Sequence, residues 1–112
     1  MTQKEIEELP QLELYRVDAA QINKFASLFT TEAAAEVAAS SAAAAIAVED
    51  NVACGAICMK LVEGQEEMLD LLSLYVVPEY RRRGVAGTLF LETMEEIFDA
   101  TDGLVHYCRC VG

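Results

Sequence analysis

At 112 residues the chain has the length of one domain with a single core, which leaves no room for a second. Its 19 acidic against 8 basic residues give a formal net charge of −11, so most of the surface would repel nucleic-acid phosphates, which argues against nucleic acid as a partner. Met1 to Leu9 is polar and charged, and no apolar run reaches bilayer-spanning length, so the sequence predicts a cytoplasmic protein that does not enter a membrane.

In chain order, Leu12 to Val17 alternates enough to be a first strand. Ala19 to Phe29 follows as a helix, with Ile22, Phe25, Ala26 and Phe29 on one face. Thr31 to Ala45 is dominated by alanine, and Thr31 followed by Glu32 gives it a helix start. A flexible alanine-rich linker is the competing reading, because alanine offers little area to bury. Ala45 to Val48 and Ala53 to Val62 read as two strands of a hairpin, joined at Glu49-Asp50-Asn51. Gly55 inside the second of them marks a bulge or a close backbone approach.

Glu63-Gly64-Gln65-Glu66 is the next turn, and the apolar run Leu69 to Val77 is a fourth strand. Farther on, Leu89, Phe90, Met94, Ile97 and Phe98 recur at helical spacing, with Glu92, Glu95, Glu96 and Asp99 between them. Gly103 to Val111 reads as a fifth strand. Cys54 and Cys58 would share a strand face, as would Cys108 and Cys110. That is not the spacing of a zinc site, so buried thiols and no metal are expected. His106, the single histidine, has no convincing partner for a triad or a metal.

Between the fourth strand and the last helix lies Val77-Pro78-Glu79-Tyr80-Arg81-Arg82-Arg83-Gly84-Val85-Ala86-Gly87. A helix N-terminus favours anions and disfavours a cluster of cations, so three arginines there imply a negative partner. Free N–H groups of the first turn form an anion site, and Gly84, Ala86 and Gly87 carry little or no side chain, so a phosphate can approach the backbone. Arginine side chains would close over it through charge-assisted hydrogen bonds, as a diphosphate cradle. The plainer alternative is a solvated basic turn paired with the chain's many carboxylates.

The run Leu74-Tyr75-Val76-Val77-Pro78-Glu79-Tyr80-Arg81-Arg82-Arg83-Gly84-Val85-Ala86 resembles the central motif of the GNAT superfamily, the acetyl-CoA-dependent N-acyltransferases. The family signature is Arg or Gln, two residues, Gly, one residue, Gly or Ala, and Arg81, Gly84 and Ala86 fill it. The resemblance implies an α+β fold: a mixed, largely antiparallel sheet flanked by helices, with a cofactor cleft where the fourth and fifth strands part. It implies that the backbone of Leu74, Tyr75 and Val76 pairs with the pantetheine arm. Arg81, Arg82, Arg83, Gly84, Val85, Ala86, Gly87 and the Thr88 hydroxyl would hold the pyrophosphate of acetyl-CoA.

Acyl transfer needs a group to take the proton of the amine, a donor for the carbonyl oxygen and an acid for the leaving thiolate. Asp70, six residues before Val76, resembles the position of a family glutamate base. Being one methylene shorter, it would act through a water. The competing reading is a solvent-facing carboxylate at the start of the strand. The resemblance implies a tyrosine acid on a helix after the fifth strand, and the sequence reaches Gly112 first, so the expected fold is C-terminally incomplete and Tyr107 does not inherit that role. The fifth strand, Leu104 to Val111, would then be a long apolar edge inviting a second copy, hence a homo-oligomer. The function implied is acetyl transfer to a small-molecule or peptide amine. A non-catalytic coenzyme A-binding or protein-interaction module is the alternative.

Overall fold

The computed structural model describes residues 12–110. Five strands form one sheet in sequence order. They are β1 (Glu13–Val17), β2 (Ala43–Glu49), β3 (Val52–Val62), β4 (Gln65–Val76) and β5 (Tyr107–Cys110), and only the β4–β5 pair is parallel. Helix α1 (Thr31–Ala38) and a 3-10 helix (Ile22–Leu28) cover one face, while α2 (Val85–Ala100) covers the other. This is the mixed α+β fold expected from the motif.

The alternation of a two-sided sheet is plain in β2. Ala44 and Ile46 pack on the α1 face, and Ala45 and Ala47 on the α2 face. That use of small residues corrects the expectation of a helix or linker over the whole alanine run. Thr30, not Thr31, caps α1, its hydroxyl accepting from the Ala33 N–H at 3.1 Å. The helix ends at Ala38, Ser40 turns with φ +58°, and the chain becomes β2 by Ala43. Helix propensity loses to the strand because β2 lies between β1 and β3 and buries both faces.

The segment predicted as a helix over Ala19 to Phe29 is a kinked 3-10 helix, with Phe25 at φ −121° and ψ 17°. The Asp18 carboxylate accepts from the N–H groups of Ala20 and Gln21, which sets its start, and the extended Phe29 stops it. Ile22 and Leu28 still reach the core. The β2–β3 hairpin turns on Asp50 and Asn51 alone, both at positive φ, in the geometry whose twist suits flanking strands.

Two bulges bend the long strands β3 and β4. Ala47 faces Gly55 while Val48 faces Ala53, so Cys54 is the extra residue in β3. Cys58 faces Ser73 while Met59 faces Leu71, which leaves Leu72 unmatched in β4. Gly55 is also a close approach. A Cβ there would stand 3.0 Å from Val85 Cγ1, 3.1 Å from Leu89 Cδ1 and 3.2 Å from the Tyr75 carbonyl oxygen. The missing side chain thus lets the first two turns of α2 seat on the sheet.

The fifth strand is shorter than expected. Gly103 at φ +82° and Leu104 to His106 form a turn and approach in which Val105 is buried, and strand pairing begins at Tyr107. Met68 to Leu71 then face Tyr107 to Cys110. The described strand is not a long apolar edge: Tyr107 and Arg109 are exposed, and only Cys108 is half-buried against the α2 side. Val111, the expected end of this strand, lies outside the described residues.

Candidate cofactor site

The site begins where β4 stops. Pro78 opens a single 3-10 turn, Pro78–Tyr80, and the chain then passes Arg82 at φ +67° and Gly84 at φ +79° before entering α2. Gly84 is the residue preceding the helix and offers no side chain to cap it. The helix's opening hydrogen bond runs from the Thr88 N–H to the Gly84 carbonyl at 3.0 Å, so the N–H groups ahead of Thr88 have no carbonyl four residues back within the helix. A Cβ built at Gly84 or Gly87 would meet nothing within 4 Å. Open space therefore lies outside both glycines, beside the positive end of the helix dipole, and a phosphate suits it.

The motif residues divide by exposure. Arg81, Arg82, Arg83, Gly84 and Gly87 are exposed, and Ala86 and Thr88 are half-buried. Val85 buries its side chain beneath the helix and has only its backbone to offer a ligand. The three arginines are not equivalent. Arg81 Nε–H donates to the Val76 carbonyl at 2.9 Å, and its guanidinium lies 5.7 Å from the centroid of the Tyr75 ring. Arg83 donates to Glu49 at 3.2 Å and lies 5.2 Å from the Tyr80 ring centroid. Among the described residues Arg82 makes no side-chain hydrogen bond or ion pair. Two of the three arginines are thus braced against the protein, and Arg82 is exposed to solvent.

The edge of β4 supplies the second half. The Val77 N–H donates to the Cys54 carbonyl at 2.8 Å, so Val77 and Cys54 form a hydrogen-bonded pair. In an antiparallel ladder such pairs alternate. Tyr75, opposite Ala56, is then bonded to β3, while Leu74, opposite Ile57, and Val76, opposite Gly55, turn their N–H and C=O groups to the other edge. On that edge β5 pairs only as far as Leu71, so residues 72–76 have no strand beside them among the described residues. Of the three residues expected to pair with a pantetheine arm, Leu74 has both polar backbone groups available and Val76 its N–H, its carbonyl already accepting from Arg81, while Tyr75 is bonded to β3.

Asp70 is not brought to this edge. It lies six residues from Val76, about 20 Å along a strand. Its carboxylate forms an ion pair with Arg109, the residue opposite it on β5, through Nε–Oδ1 and through Nη2–Oδ2 at 3.5 Å. The residue expected to act as base through a water thus stands apart from Val76 and is paired with a cation. Hydrogen bonding to Asp70 in turn raises the Arg109 pKa.

Sequence reading missed Glu49. Placed there in a turn, it is instead the last residue of β2, paired with Val52, and it is 5% exposed. Ala45, Ala47 and Glu49 alternate onto the α2 face, beneath the arginine loop. The signal was available: an Asp-Asn pair that fills a two-residue turn makes the preceding Glu49 a ladder residue.

All four cysteines are free thiols. Burial pushes the Cys58 thiol up to about 11, aided by the Glu36 carboxylate. Cys54 is raised by burial first and then by Glu49. His106 Nδ1 lies 2.9 Å from the Leu104 carbonyl, within its own turn. Among the described residues no group of three or more His, Cys, Asp or Glu could hold a metal ion, and no helix is long and apolar enough to cross a membrane.

Comparison with known proteins bears on the fold and the family. No curated protein sequence matches the chain significantly. Solved structures do match in fold. An aminoglycoside acetyltransferase, meta-AAC0020, from an uncultured soil metagenomic sample aligns with a TM-score of 0.69 at 13% identity, over 90% of this chain and 77% of that one. Aminoglycoside N-acetyltransferase AAC(6')-Iy in complex with CoA aligns with a TM-score of 0.68 at 18% identity, over 94% and 79%. Ribosomal-protein-alanine N-acetyltransferase from Brucella melitensis biovar Abortus 2308 gives 0.69 at 14%, over 89% and 79%. The sequence model of the Acetyltransferase (GNAT) family matches residues 6–111, nearly the whole chain, and with the strand, loop and helix in this arrangement, the chain belongs to the GNAT acetyltransferase family.

Proposed function

We propose that the chain transfers an acetyl group from acetyl-CoA to a primary amine by direct attack. The observation that carries this reading is the alignment of two open features. The free edge of β4 at Leu74 and Val76 leads, through the loop of residues 77–84, to the glycine-lined N-terminus of α2. Acetyl-CoA would supply an activated acyl group as a thioester. The open N–H groups of α2, with Arg82 beside them, would bind the diphosphate, and Leu74 and Val76 would pair with the amide-bearing arm. The Val76 N–H would donate to the thioester carbonyl oxygen as negative charge gathers there. The amine nitrogen forms its bond to the carbonyl carbon as the C–S bond breaks, and the proton given up by the amine balances the one taken by the departing thiolate. Holding both reactants on one edge supplies much of the rate.

A small amine and a peptide amine both fit this reading. Structural neighbours are named for acting on aminoglycosides and on a ribosomal-protein alanine. A non-catalytic coenzyme A-binding module is the second reading, favoured by one observation: the carboxylate expected as base is held by Arg109. Calorimetric titration with acetyl-CoA tests the shared core of both, and an amine screen by thiol release separates them. Saturable binding with amine-dependent thiol release supports the transferase. Binding without release against any amine would leave the module.

A further inference from the structure

We infer that Glu49 is a positioning residue for the cofactor loop: from beneath the sheet end it fixes Arg83, and through Arg83 the conformation of residues 81–84 that receives the diphosphate. The inference rests on the acetyl-CoA reading above. Glu49 is the one charged side chain buried among the described residues, with its side chain 6% exposed. A buried carboxylate beside an anion site is costly twice over, in desolvation and in repulsion of the ligand, and persists where a specific partner offsets it. That partner is Arg83, whose Nη1 donates to Glu49 Oε2 at 3.2 Å while its guanidinium lies over the Tyr80 ring.

The contact joins segments 34 residues apart in sequence, the end of the β2–β3 hairpin and the loop before α2. Arg83 also sits between the two left-handed residues of that loop, Arg82 and Gly84. A backbone in this region is held only where its surroundings over-determine it, and Glu49, through Arg83, ties the loop at a second point beside the contact of Arg81 with the Val76 carbonyl. The hairpin supporting Glu49 is closed by the two-residue turn at Asp50 and Asn51, with Glu49 paired to Val52. Arg83 is half exposed, so one side of its charge is committed to Glu49 and the rest remains open to solvent and ligand.

Simple electrostatics predicts the opposite outcome. If Glu49 were only a nearby negative charge, removing it would strengthen binding of an anion. Positioning predicts weaker binding, so the sign of the effect decides. The experiment compares the native chain with Glu49→Gln, Glu49→Ala, Arg83→Ala and the Glu49→Ala/Arg83→Ala double variant, each verified as folded by circular dichroism. Dissociation constants are measured calorimetrically for acetyl-CoA and for S-acetylpantetheine, which lacks the diphosphate. Glu49→Ala is expected to weaken acetyl-CoA binding about tenfold, the scale of coupling between residues in contact, with less added once Arg83 is absent. S-acetylpantetheine binding should change less than twofold. A variant that melts early would weaken both ligands alike, and Glu49→Gln, which retains an acceptor oxygen, then carries the comparison. Tighter or unchanged acetyl-CoA binding in Glu49→Ala overturns the inference while leaving the acetyl-CoA reading intact. Failure of the native chain to bind acetyl-CoA overturns both.

Discussion

Asp70 carries two claims at once, a place in a pattern and a partner in the fold. Its spacing from Val76 resembles a catalytic carboxylate, yet Arg109 lies opposite it, 39 residues later, where no local reading would look. A positioned general base contributes about 10² to 10⁴ in rate, so the two roles are separable. Asp70→Asn is expected to lower kcat/KM less than tenfold and to cost stability instead, measured by initial rates and by urea unfolding. A hundredfold fall in kcat with unchanged stability would mark Asp70 as the base.

Cys58 makes a second prediction at this scale. Its thiol, fully buried on the sheet face beneath α1, is raised to about 11 against an ordinary value of 9.0. The folded state holds the proton more tightly than the unfolded state, so this contribution is intact below pH 9 and is lost as pH climbs toward 11. The loss from Cys58 is on the order of 2 kcal/mol by pH 11. Cys58→Ala should flatten the decline in urea-unfolding free energy over that window. A parallel decline in both proteins would contradict the assignment. Cys110, exposed on β5, should react with a thiol reagent in the native state, while Cys54 and Cys58 should react only on unfolding.

Among elements, the joint between β3 and α2 is the most sensitive. Gly55 admits the helix, and the helix start defines the loop, so strain there passes directly to the cofactor site. Gly55→Ala places a methyl against Val85, Leu89 and the Tyr75 carbonyl, and the backbone oxygen cannot yield cheaply. Overpacking of this kind costs about 1–3 kcal/mol. The expected result is a lower urea midpoint together with weaker acetyl-CoA binding. Gly84→Ala has open space, and its cost comes from φ +79°, about 1 kcal/mol with no steric clash. Stability unchanged in Gly55→Ala would mean that the helix seats differently.

The same contrast explains what the sequence disclosed. Arg81, Gly84 and Ala86 are contiguous and stand between a strand and a helix, so the loop could be recognised from local order alone. The Asp50-Asn51 turn and the close approach at Gly55 are likewise local chemistry. The alanine run was opaque because Ala39 and Ala44 have the same propensity; only pairing with β1 and β3 decides that Ala43 onward is strand. Glu49, Arg109 and the unequal duties of Arg81 and Arg83 depend on contacts across the sheet, and periodicity does not encode them.

Across the molecule, the charge of −11 and the basic loop oppose one another. Self-repulsion destabilises a compact acidic chain and resists its association, and both effects are screened by salt. The self-pairing expected along residues 104–111 would rest on a described strand of only four residues, one of them Arg109. Light scattering at low ionic strength is expected to return the monomer mass. A stable dimer there would revive β5 as the pairing edge.

The most direct test of the whole account is calorimetric titration of acetyl-CoA into the native chain and into Gly84→Glu, whose carboxylate would project into the open space before α2. Micromolar binding in the native chain that is lost in the folded variant is the predicted result. Native protein that fails to bind, or a variant that binds as tightly, would contradict the assignment of this loop as the diphosphate site.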